Sequence, residues 1–398
     1  MSQGSPGTRD SAQADAAKQA ARQAIDERRS ELVALARVLH DRPELGLEEH
    51  HAVAEVSRVL EGAGFHVESA TCGLPTALRA WAGPGPLSLL FCAEYDALPG
   101  IGHACGHNLI AAAAVGAGVG LAAVAEQLEL KVTVLGTPAE EGGGGKVLLL
   151  ERGAFAGVHA AMMVHPWHED RLGANCLAVD HVEVRFSGRE AHASAAPHNG
   201  VNAADAMVLS QVAIGLLRQQ LPAGQQVHGI VTKGGDAVNV IPKQTVGRFM
   251  IRAPTIEALA TLRPRVERCF EAGALATGCS VEITDLCPRY SDYVADHRLL
   301  ERWRVNAEAL GRRFSADDAG APLPTFSTDM GNVSRTVPAI HPLVGLDSGG
   351  AVIHEPAFAD ATVGPSAEQT AIDGALSMAF TAVDIATDSE LRREMMER

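Results

Sequence analysis

Residues Leu87 to Tyr95 form a nearly unbroken apolar run that stops at Asp96 and gives way to a polar loop. A run of that length without alternation reads as a strand covered on both faces, which calls for helices above and below a sheet. Similar runs recur at Lys131–Gly136 and around Ala160–Val164, separated by a helical stretch, Leu109–Leu128, and a shorter one, Lys146–Glu151. Upstream, the spacing of Ile25, Leu32, Leu35, Ala36 and Leu39 predicts a helix over Asp10–His40 ended by Pro43, then a second over Glu49–Leu60. This alternation predicts an α/β layer with a largely parallel sheet.

Near residue 180 the pattern changes. Val182–Phe186 reads as a strand, Asn202–Gln220 as a helix, Val227–Thr232 and Thr245–Ile251 as strands, Thr255–Ala276 as a helix and Ser280–Ile283 as a strand. The order β-α-β-β-α-β is that of a ferredoxin-like domain. The expected organisation is a discontinuous α/β domain, residues 10–178 and 289–398, interrupted by an α+β domain at 179–288 and preceded by a disordered leader, 1–9.

Lys and Arg number 33 against 48 Asp and Glu, a net charge of −15. That balance repels a phosphate backbone and argues against nucleic-acid binding. The apolar stretch Leu109–Ala125 is too rich in Ala and Gly for a membrane span, and no signal-type block opens the chain. Seven cysteines, an odd number without a CxxC pair, suggest reduced thiols and a cytoplasmic setting. Two glycine-rich stretches imitate nucleotide loops and fail at the residues that carry the chemistry. Leu121 stands where a dinucleotide loop needs its last Gly, and Val147 follows Lys146 where a phosphate loop needs Ser or Thr. Gly116, Gly118 and Gly120 read instead as close helix packing, and Gly142–Gly145 as a flexible loop beside a site.

The chemistry gathers where apolar runs end. Asp96, Cys105 and His107 follow the first; Glu140 and Glu141 follow the second; His165 closes the third; His354 stands in Gly349-Gly350-Ala351-Val352-Ile353-His354. A thiolate with imidazoles and carboxylates favours Zn, Mn, Co or Fe over Mg or Ca. Adjacent carboxylates suggest a division of labour, one binding metal and the other holding a proton.

The blocks DALP with HACGHN, GTPAEEGGGGK, HP, HAS, NVIP and STDMGNVS resemble the dinuclear metallo-amidohydrolases that include aminoacylase, hippurate hydrolase, the indoleacetyl-amino-acid hydrolases and glutamate carboxypeptidase. The run EYDALPGIGHACGHNLI looks closest to the branch of aminobenzoyl-glutamate hydrolase and β-alanyl-lysine dipeptidase. The resemblance implies two divalent ions per chain, Zn, Mn or Co. Cys105 would bridge them, Glu141 and His354 completing one site and His107 and His165 the other. Asp96 would orient a ligand imidazole, and Glu140 would be the general base toward a metal-bridging water. His192, in the inserted domain, would reach the active site of a partner subunit and stabilise the oxyanion, so a homodimer is implied. Asn239 and Arg252 would bind substrate, Arg252 at a free carboxylate. On residues alone Asn239 reads as a turn residue before Pro242 and Arg252 as a solvated strand end. Glu94 and Asn108 stand where many relatives have Asp. The expected activity is metal-dependent hydrolysis of the amide bond of a small N-acyl amino acid or dipeptide. The alternative is a catalytically silent, metal-bound binding protein on the same scaffold.

Overall fold

The computed structural model describes residues 6–314 and 324–397. Of the expected leader, residues 1–5 lie outside this range. In chain order the elements begin with α1 (Pro6–Glu27), α2 (Arg29–Asp41), α3 (His50–Gly62), β1 (His66–Ser69), β2 (Leu78–Ala82), β3 (Leu87–Ala93), α4 (His107–Ala122), β4 (Leu130–Gly136), α5 (Gly145–Glu151), β5 (Ala160–Met162), β6 (His165–Trp167) and β7 (Asn175–Cys176). There follow β8 (Ala178–Ser187), α6 (Ala203–Leu217), β9 (Gln226–Lys233), β10 (Gln244–Ala253), α7 (Ile256–Thr277) and β11 (Ser280–Asp285). The chain closes with α8 (His297–Ala309), β12 (Thr325–Phe326), α9 (Met330–Ser334), β13 (Ala339–Ile340), β14 (Leu343–Gly345), α10 (Pro356–Ala361), α11 (Pro365–Thr387) and α12 (Ser389–Met396).

Two compact units result. The first takes the chain to Asn175 and again Val294–Thr325 and Asn332–Arg398; the second is Cys176–Tyr293 with Phe326–Gly331. The first contains a six-stranded sheet in the order β1-β2-β4-β3-β5-β13. Its β3–β4, β3–β5 and β5–β13 pairs are parallel, while β1 and β2 run antiparallel at one edge. The fold is therefore the expected mixed α/β one with a largely parallel sheet.

All seven residues of β3 are buried, as its uninterrupted apolar run requires. Helix α4 is apolar all round because it is covered all round: every residue from His107 to Leu121 is buried. Its glycines allow that cover to approach. A Cβ at Gly116 would lie 2.8 Å from the Ala375 Cβ on α11, and one at Gly118 would lie 2.4 Å from Val134 on β4. The expected single helix over Asp10–His40 is two helices. The break falls at Arg28, whose guanidinium turns to the Gly62 carbonyl and Glu31, and whose ψ of 8° leaves the helical range.

The second unit holds the antiparallel sheet β11-β8-β10-β9, with α6 and α7 packed on it. Strand order 4-1-3-2 around two helices is the ferredoxin-like arrangement. Strand β8 pairs with β10 over its whole length and with β11 on its other side. Helix α6 is capped by the Asn202 side chain and α7 by Thr255.

Candidate metal centre

The ligand-type residues of the first unit follow the C-terminal ends of strands, where open α/β sheets leave room for a site: Asp96, Cys105, Glu140, Glu141 and His354 lie on loops, His107 opens α4 and His165 opens β6. Three local devices bring the loops together. Gly106, at φ +78°, lies so close to Pro166 that a Cβ there would meet its ring carbons at 2.9 Å, so the Cys105 and His165 segments touch. The His354 N–H donates to the Ala104 carbonyl at 2.9 Å, which ties the fourth segment to the first. His354 itself takes a left-handed backbone, φ +68°, a strained conformation for a side-chain-bearing residue. Asp96 joins the second segment, for its Oδ2 accepts the Glu141 N–H at 3.0 Å.

The donor atoms converge in two groups that share one sulfur. Cys105, His107 and His165 place ligand atoms within 4.8 Å of one another, and so do Cys105, Glu141 and His354. A third such group joins His107 to Glu140 and Glu141. Within the groups, Cys105 Sγ lies 3.5 Å from His165 Nε2 and 3.6 Å from His354 Nε2, and His354 Nε2 lies 3.4 Å from Glu141 Oε1. A tetrahedral ion with bonds of about 2.3 Å to sulfur and about 2.1 Å to nitrogen and oxygen requires ligand–ligand edges of roughly 3.4–3.6 Å. The donors therefore already hold the spacing a metal ion needs.

Their tautomers suit the same purpose. His107 Nδ1 faces Asp96 Oδ1 at 3.0 Å and His165 Nδ1 faces the Pro166 carbonyl at 2.7 Å, so each ring donates there and turns the Nε2 lone pair inward. His107 Nε2 and Glu141 Oε1 are buried without a hydrogen-bond partner, a costly state that a cation relieves. At His107 a proton competes with a metal ion for the same nitrogen. Burial opposes charge on His107, but Asp96 and Glu94 outweigh it and hold its pKa well above the ordinary value. Burial and then Glu141 push the Cys105 thiol well up. Burial and the neighbouring His107 bring His165 down to about 4. A divalent ion reverses the logic at the thiol, which it deprotonates.

The remaining expected residues lie in the second unit. His192 is exposed, and its Nδ1 accepts the Ser194 and Ala195 N–H groups at 3.3 and 3.1 Å, leaving Nε2–H pointing outward as a donor. Asn239 is brought to the same place: its carbonyl accepts the Ala193 N–H at 2.9 Å, and His192 bridges to Val240. Arg252 is not beyond its strand but inside it, paired with Val179, and its guanidinium donates to Ser327 Oγ at 2.7 Å and faces His228 Nε2 at 3.4 Å.

Some features escaped sequence reasoning. Glu94 is fully buried and paired with Lys146, also fully buried, inside what reads as an ordinary helix start. The signal was present in two charges flanking uniformly apolar runs. Glu49, also buried, accepts the Ala139 N–H at 2.8 Å and so braces the turn that precedes Glu140. Of the six cysteines outside the donor groups, Cys92 and Cys176 are buried, while Cys72, Cys269, Cys279 and Cys287 are half-buried.

Residues 90–369 match the family model described as peptidase family M20/M25/M40. The chain belongs to that family. It is 41% identical over 397 residues to the mouse Xaa-Arg dipeptidase, a match covering 96% of this chain and 91% of the relative. It is 32% identical to one of the subunits of the Escherichia coli p-aminobenzoyl-glutamate hydrolase, over 65% of this chain and 58% of that protein. Among solved structures, the Bacillus subtilis YXEP protein, described as a dinuclear metal-binding peptidase of the M20 family, superposes with a TM-score of 0.67 at 22% identity, covering 90% of this chain and 99% of that one. That last likeness is one of fold. As an M20 member the protein is a metal-dependent hydrolase of peptide or amide bonds. Among the described residues no helix is long and apolar enough to cross a membrane.

Proposed function

We propose that the protein is a two-metal dipeptidase or N-acyl amino acid amidohydrolase of the cytoplasm, working as a homodimer. The observation that carries this reading is the pair of three-donor groups sharing Cys105 Sγ. Cys105 would bridge two divalent ions of the Zn, Mn or Co kind, with His107 and His165 on one and Glu141 and His354 on the other. Such ions supply Lewis acidity, which lowers the pKa of water and polarises the scissile carbonyl.

The chain's own residues do the rest. Glu140 is nearly buried and its carboxylate lies within 4.8 Å of the His107 and Glu141 donors, which suits a group that takes a proton from the attacking water and delivers it to the leaving nitrogen. Asp96 fixes His107 through Nδ1 and the Glu141 backbone through its other oxygen, so one carboxylate sets two of the ligand-bearing segments. His192, with Nε2–H directed outward, suits donation to a developing oxyanion. Asn239 beside it would hold the substrate, and Arg252 its free carboxylate through the guanidinium fork.

We infer that a second copy of the chain would dock on the second unit. Val208, Val212 and Leu216 form an exposed apolar stripe at helical spacing on α6, and Ile230 and Val231 are exposed on the edge strand β9. A two-fold contact through that face would cover both. The odd number of cysteines and the lack of a CxxC pair are what support a reducing compartment.

Dipeptides are the first substrate class, supported by the likeness to the mouse Xaa-Arg dipeptidase across nearly the whole chain. Aminobenzoyl-glutamate is the second, supported by the shorter match to the Escherichia coli protein. Turnover of the metal-loaded enzyme on Xaa-Arg, β-alanyl-lysine, hippurate and aminobenzoyl-glutamate tests both. A metal-loaded protein that binds these compounds and hydrolyses none would overturn the catalytic reading in favour of a silent binding protein.

A further inference from the structure

Glu140 stands between two backbone amides, each held by a carboxylate from elsewhere in the chain. After it, the Glu141 N–H is accepted by Asp96 at 3.0 Å. Before it, the Ala139 N–H is accepted by Glu49 Oε1 at 2.8 Å. Ala139 has a left-handed backbone, φ +57°, which a residue with a Cβ keeps only when its surroundings hold it there. They do so from three sides. Glu49 takes its N–H; the Gly143 and Gly144 N–H groups both donate to its carbonyl at 2.9 Å; and Gly46 lies so close that a Cβ there would meet the Ala139 Cα and Cβ at 2.9 Å. Glu49 is fully buried, a costly place for a carboxyl that the Ala139 hydrogen bond partly offsets. The loop before it also reaches the other side of the site, for the Glu44 carbonyl accepts the Ala97 N–H, beside Asp96, at 2.8 Å. One short segment braces both the Asp96 loop and the Glu140 turn.

We infer that Glu49 is the positioning residue for Glu140: its side chain holds Ala139 left-handed, and that backbone conformation aims the Glu140 carboxylate at the donors of the metal centre. The inference rests on the reading of Glu140 as the general base. It gives the aim of the base and the hold on the ligand to different carboxylates, because Asp96 keeps the Glu141 amide whether or not Glu49 keeps that of Ala139. Loss of the Glu49 contact turns the base without releasing metal. Reach decides the effect and charge does not, since any oxygen acceptor at the same point takes the N–H.

The test compares Glu49→Gln, which keeps the reach and loses the charge, with Glu49→Asp, which keeps the charge and shortens the reach. Both are loaded with Zn(II) and assayed beside the wild type on whichever compound of the panel above it turns over fastest. Glu49→Gln is expected to keep kcat within about threefold of wild type. Glu49→Asp is expected to lose at least about tenfold in kcat, with KM within about twofold and metal content unchanged. Adding Ala139→Gly to Glu49→Asp is expected to recover at least about threefold, because glycine takes a positive φ without being held. Hydrogen exchange over residues 137–144 gives a readout free of activity, and is expected to be faster in the Asp variant than in the Gln variant. A folded Glu49→Gln protein that loses more than tenfold in kcat would overturn the inference, whatever becomes of the Asp variant. So would equal exchange in the two variants, or a double variant no more active than Glu49→Asp. Near-normal turnover by Glu140→Gln would instead overturn the reading of Glu140 as the base.

Discussion

Glu140 and Glu141 are neighbours in sequence with different surroundings. Glu141 is tied to His354 at 3.4 Å and stays partly exposed, while Glu140 is nearly buried beside the donors. On the proposed division of labour, Glu140→Gln keeps the shape and loses the proton acceptor. Its kcat is expected to fall by about 10² or more with metal content unchanged. Steady-state kinetics beside metal analysis check this, and near-normal turnover would place the base elsewhere.

Elements explain which parts could be read in advance. Strand β3 was legible because burial on both faces leaves an unmistakable apolar run, and the glycines of α4 were legible as packing because their near neighbours leave no room for a Cβ. The ligand-type residues stood out because the strands that carry them end abruptly. What stayed hidden is what tertiary contact alone decides. The break at Arg28 depends on a carbonyl 34 residues away, and the Glu94–Lys146 pair depends on the end of β3 meeting the first turn of α5. Arg252 read as a strand end because periodicity does not mark the last paired residue. Glu49, at the start of α3, is a third case, and it carries a prediction. Burial, outweighing its hydrogen bonds, raises its pKa to about 7. A carboxyl raised above its unfolded value binds a proton more readily in the folded chain, so the stability this group contributes is full below about pH 4.5, is lost as pH rises toward about 7 and is flat above. Glu49→Gln keeps the acceptor for the Ala139 N–H and removes the ionisation. Urea melts of the metal-free protein are expected to show a decline between pH 5 and 7 in the wild type, up to about 3 kcal/mol in all, and a flatter profile in the variant. Equal slopes would remove Glu49 as the cause.

At the scale of the whole molecule the prediction concerns two chains. If His192 serves the site of a partner subunit, Glu140→Gln and His192→Ala should each be inactive alone and complement when mixed under subunit exchange. A mixed dimer then holds one site with both residues intact and one with neither. Statistical exchange of equal amounts makes about half the dimers mixed and restores roughly a quarter of wild-type sites. No recovery despite demonstrated exchange would mean that His192 acts within its own chain or not at all. Val208, Val212 and Leu216 form an apolar stripe, exposed in the single chain, that such a dimer would cover.

The shared sulfur is the central claim, because both three-donor groups need it. Its most direct test is the metal content of Cys105→Ala beside the wild type, with circular dichroism to confirm that both are folded. The account predicts about two divalent ions per wild-type chain, and loss of metal and activity together in the variant. A folded Cys105→Ala protein that keeps two ions at full occupancy would contradict it.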